Sequence, residues 1–81
     1  MNETLTHYES HVVTARAWEE ASSTVQHRRF AASYSIGHAA SGVIWQETYL
    51  ESIFVELDLA QAHALTLAKQ EIDRGGHREA A

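Results

Sequence analysis

The sequence predicts an all-α protein, and three observations carry that reading. Val43–Ile72 places Val43, Leu50, Ile53, Phe54, Leu57, Ala60, Ala64, Leu67 and Ala68 within one broad helical arc. Leu5, Tyr8, Val12 and Ala15 repeat at three- and four-residue intervals nearer the N-terminus. The chain also has no proline to interrupt a helix. Together they imply a helical hairpin or three-helix unit, with helices over about 3–21, 24–41 and 43–74.

For the first helix, Asn2 or Thr4 supplies an N-cap, and Thr6–Glu9 has capping-box spacing. Period-2 alternation reads as poor over this stretch, which makes a strand the weaker alternative. Ser22-Ser23-Thr24 offers cap chemistry for a second helix. On that helix Val25, Ala32, Ile36, Ala39 and Val43 share one face, and Phe30, Tyr34 and Trp45 share another. Its Ala, Ser and Gly content argues against a strand interior, so a hairpin through Ile36–Gly42 is the minority reading.

The third helix is the longest. Val43, Leu50, Leu57 and Ala64 fit heptad positions a, with Ile53, Ala60 and Leu67 at d and Gln46, at the first d, the exception. A second apolar stripe through Ile44, Val55, Leu59 and Ala62 implies contacts on two sides. The helix is expected to end at Arg74, with Gly75 as a left-handed cap and residues 76–81 as a flexible tail.

Eighty-one residues bound the chain to a single domain. A chain of this size buries only about 60–65% of its unfolded surface, so self-association is expected to complete the core. The heptad nominates Leu50, Ile53, Phe54, Leu57, Ala64 and Leu67 as the homodimer surface.

Composition removes several function classes. With no cysteine there is no disulfide, thiolate nucleophile or Cys-ligated zinc, which accords with a cytoplasmic protein. The N-terminus lacks the basic and apolar regions of a signal peptide. The longest uncharged run, Phe30–Gln46, has 17 residues and includes Ser33, Ser35, His38 and Ser41, too short and polar for a membrane span. Net charge is −5, and the paired Arg28 and Arg29 are too few for a nucleic-acid footprint, so direct nucleic-acid binding is not expected. No nucleophile–base pair or phosphate loop is present, so no enzyme is expected.

Two clusters remain. Residues 47–73 carry six acids against Lys69, and on a helix Glu47, Glu51 and Asp58 share a narrow stripe. A protein partner, basic or nucleic-acid-binding, fits such a stripe. The rival reading is a metal-binding bundle: on a helix His7 and His11 would stack one turn apart, with Glu3 on the adjacent turn. Two solvated histidines are the plainer account, and no metal or cofactor is assigned. The sequence thus predicts a small acidic, non-enzymatic interaction module acting as a regulator, adaptor or inhibitor.

Overall fold

The chain folds as an antiparallel sheet backed by one helix, which overturns the all-α expectation. The structure, a computed structural model, describes residues 2–42 and 47–75. Strands β1 (Asn2–Tyr8), β2 (His11–Glu19), β3 (Phe30–His38) and β4 (Thr48–Tyr49) precede helix α1 (Leu57–Asp73). Sheet order is β1-β2-β3-β4, an uncrossed meander. The predicted first turn of the long helix at 43–46, with Trp45, and the tail at 76–81 lie outside the described residues.

Segments read as the first two helices are strands because their small residues alternate. Val13, Ala15 and Ala17 point to one side of β2, and all three are fully buried. Val12, Thr14, Arg16 and Trp18 take the other side. In β3 Phe30, Ala32, Tyr34 and Ile36 face the core. Register confirms the shared face, since Val13 pairs with Ile36, Ala15 with Tyr34 and Ala17 with Ala32. Alanine favours helix in isolation, but here tertiary packing overrides that preference.

The packing explains the need for small residues. Helix α1 lays Ala60, Ala64, Ala68 and Ile72 on the sheet, a spacing of four that runs along one helical face. Ala15, Ala17 and Ala32 meet Ala60, Ala64 and Ala68 within one buried cluster. Methyl against methyl allows the helix to approach the strands closely. Phenol groups and amides then fasten the layers. Tyr34 Oη donates to Glu71 at 2.6 Å and Tyr8 Oη to Asp73 at 2.7 Å. Gln61 Nε2 donates to Thr4 Oγ1 at 2.7 Å.

The expected 43–74 helix is therefore only partly formed. Leu50, Ile53 and Phe54 precede α1 in a non-helical segment that touches β3 at Leu50 and Phe54 and bulges between them. Phe54 exchanges backbone hydrogen bonds with Phe30 at 2.8 and 2.9 Å, an isolated bridge that anchors this run. Leu57 opens the helix, half-buried against the core, and Leu67 packs there too. Ala64 is fully buried under the chain's own sheet. The six residues assigned to a heptad thus share no helical seam: Leu50, Phe54, Leu57, Ala64 and Leu67 pack against the chain's own core, and Ile53 stays exposed before the helix begins. At the C-terminal end Arg74 caps the helix and Gly75 takes φ 77°, the left-handed conformation anticipated for it.

Candidate functional surface

Helix α1 covers one face of the sheet; among the described residues no element packs across the other. That second face carries Glu3, Leu5 and His7 from β1, and Val12, Thr14, Arg16 and Trp18 from β2. Ser33 and Ser35 come from β3, and Tyr49 from β4, which pairs with Ser33. Alternation along each strand fixes this set.

Arg16 organises the polar half. Its Nε donates to Glu3 at 2.5 Å and its terminal nitrogen to Glu47 at 3.0 Å, joining β1, β2 and the lead-in to β4. Glu47 also accepts from the buried Ser33 hydroxyl, and from Tyr49 Oη at 3.1 Å. The Ser33 hydrogen bond is the main cause that holds the Glu47 carboxyl below its ordinary range, with Tyr49 and Arg16 adding to it against desolvation. Arg16 is in turn held more firmly protonated, first through Glu3. Trp18 stands edge-on to Tyr49, ring centroids 6.0 Å apart. Arg16, Trp18, Glu47 and Tyr49 line a concavity of about 240 Å³.

The apolar half adjoins it. Leu5, Val12, Thr14, Ser35 and Gly37 line a groove of about 190 Å³, closed at one end by His38, Ala39 and Gly42. Leu5 and Tyr49 are 65% and 64% exposed.

The residues singled out from sequence are dispersed. Glu47, Glu51 and Asp58 lie on no common helical stripe. Glu47 precedes β4 and sits in the Arg16 network, Glu51 is exposed in the segment after β4, and Asp58 occupies the first turn of α1. Their separation follows directly from the helix beginning at Leu57. His7 and His11 are likewise parted. His7 pairs with Val12 and His11 with Tyr8, so the two imidazoles project from opposite faces of the sheet. His11 instead meets His38 edge-to-face, centroids 5.8 Å apart. Among the described residues, no group of three or more His, Asp or Glu is placed to hold a metal ion.

Arg28 and Arg29 fall in the β2–β3 connection. Arg28 pairs with Glu19 at 2.8 Å and lies over the Phe30 ring. No described helix is long and apolar enough to cross a membrane. The Arg16–Glu47 pairing was hidden in sequence, since 31 residues separate the partners and only the sheet register joins them. The one available signal was the alternation Thr14, Arg16, Trp18 against Val13, Ala15, Ala17.

No family model, curated protein or solved structure matches the chain. The functional reading therefore rests on the geometry.

Proposed function

We propose that the chain is a non-enzymatic protein–protein interaction module that docks its partner on the sheet face opposite α1. The observation carrying this reading is the juxtaposition of the Arg16–Trp18–Glu47–Tyr49 cluster with the Leu5–Val12 groove. Aromatic anchors beside an apolar groove and a fixed polar network are the makings of a protein interface. The partner is a protein that offers an apolar side chain to the groove and a basic group to Glu3 and Glu47. The net charge of −5 favours encounter with a basic partner. Action as a regulator, adaptor or inhibitor follows from such occupancy, and the cysteine-free composition accords with the cytoplasm.

The test is a nuclear magnetic resonance titration of labelled protein with short peptides that alternate basic and aromatic residues. The reading expects shifts at Leu5, Val12, Arg16, Tyr49 and the Trp18 indole. Shifts confined to α1, or none at millimolar peptide, contradict it.

A further inference from the structure

The two edges of the sheet differ in how they are finished. The β4 edge is blunted: only Thr48 and Tyr49 pair in register, and the chain then bulges between Leu50, bonded to Ala32, and Phe54, bonded to Phe30. The β1 edge has few of the usual protections, Glu3 being its one acidic side chain. Its seven residues pair with β2 in unbroken register from Asn2↔Ala17 to Tyr8↔His11. It contains no proline, lysine or bulge, and among the described residues nothing pairs with its outer side. Such an edge presents a row of backbone donors and acceptors to another strand.

The side chains of β1 specify which strand. Glu3, Leu5 and His7 line one face, with Leu5 the most exposed large apolar side chain of the sheet. Antiparallel pairing of two β1 strands about a two-fold axis at Leu5 sets Leu5 against Leu5. It sets Glu3 against His7 of the second copy, and His7 against Glu3. On the helix side Thr4 meets Thr6. The pattern is self-complementary: each Glu3 carboxylate, held on one side by its own chain's Arg16, faces an imidazole on the other, and no like pair of charges is opposed. We infer that β1 is a homodimer edge, joining two chains through Leu5–Leu5 and Glu3–His7 pairs into one eight-stranded sheet. Both helices then lie on one side of that sheet, and the two open faces merge on the other. This places self-association on β1, away from the apolar residues of α1; Leu5 and Glu3 also border the partner surface proposed above, and the two readings are told apart by association mass on one side and peptide-induced shifts at Trp18 and Tyr49 on the other.

The test combines association state with register. Analytical ultracentrifugation of the full chain is expected to give the two-chain mass at tens of micromolar. Leu5→Lys, which charges the seam, is expected to give a folded one-chain species, with circular dichroism confirming the sheet. His7→Glu, which opposes Glu3 with a second carboxylate, is expected to weaken association at least fivefold, and His7→Lys to preserve it. Opposed residues in such a ladder lie about 5.5 Å apart at Cα, within disulfide reach. Leu5→Cys is therefore expected to cross-link under mild oxidation much faster than Val25→Cys, a control in the exposed β2–β3 connection. A one-chain mass for the unaltered protein overturns the inference. So does a dimer that survives Leu5→Lys, or cross-linking at Leu5→Cys no faster than at the control.

Discussion

Tyr34 on the central strand donates its phenolic proton to Glu71 on α1 across 2.6 Å. This bond crosses the boundary between sheet and helix from a ring that is almost wholly buried. Tyr34→Phe keeps the ring and removes the donor, so the expected loss is about 1 kcal/mol of stability by urea denaturation. Tyr34→Ala also empties ring volume and is expected to cost about 3–5 kcal/mol. Unchanged stability in Tyr34→Phe would deny the bond any separate part.

The alanine contact between layers makes the opposite kind of prediction. Ala64 is fully buried between α1 and the sheet. Ala64→Leu adds volume where neither layer can yield without moving the other, with an expected cost of about 1–3 kcal/mol. In a true heptad seam the same change would fill an a position and strengthen association. A raised melting temperature for this variant would therefore contradict the packing described.

The hairpin between β1 and β2 contains Glu9 at φ 55°, a left-handed conformation that a residue with a Cβ adopts at a cost. Glu9→Gly removes that penalty, and the expected gain is about 0.5–1 kcal/mol in thermal unfolding. A loss of similar size would mean that the Glu9 side chain contributes more than its backbone costs.

Much of this architecture was illegible in the sequence for one reason. Ala15, Ala17 and Ala32 are helix formers by local preference, and their place in strands follows only from what packs on them. Ala60, Ala64 and Ala68 recur every four residues, so the helix they build and its stop at Gly75 were readable. Its start was not, because Leu50, Ile53 and Phe54 continue the apolar pattern upstream, while Leu50 and Phe54 bond to β3 instead. The Arg16–Glu47 site depends on sheet register, which no local pattern reports.

Stability should fall at both ends of the pH scale. Tyr34 is raised from the usual 10.0, chiefly by burial and then by Glu71. Tyr8 is raised mainly by its bond to Asp73, and Tyr49 by its bond to Glu47. A folded state that holds these protons more tightly is fully stabilised below pH 10.0 and loses that contribution as pH rises through the native values. Glu19, lowered from 4.5 chiefly by Arg28, and Glu47, lowered chiefly by Ser33, act oppositely. Their contribution is present above pH 4.5 and is lost as pH falls through the lowered values. Melting temperature against pH should show a plateau between these limits, and Tyr34→Phe should flatten part of the alkaline arm. An unchanged alkaline arm in that variant would remove Tyr34 from the account.

The central claim is that the face carrying Arg16, Trp18, Glu47 and Tyr49 is a binding surface. Calorimetric titration of Trp18→Ala/Tyr49→Ala with the basic–aromatic peptide that binds the unaltered chain best tests it most directly. Tyr49 is exposed and Trp18 half-buried on that face, outside the core cluster, so the double variant is expected to keep its circular dichroism spectrum while its affinity falls at least tenfold, about 1.4 kcal/mol. Leu59→Ala, on the exposed side of α1, is expected to bind as the unaltered chain does. Undiminished affinity in a folded Trp18→Ala/Tyr49→Ala protein would contradict the claim.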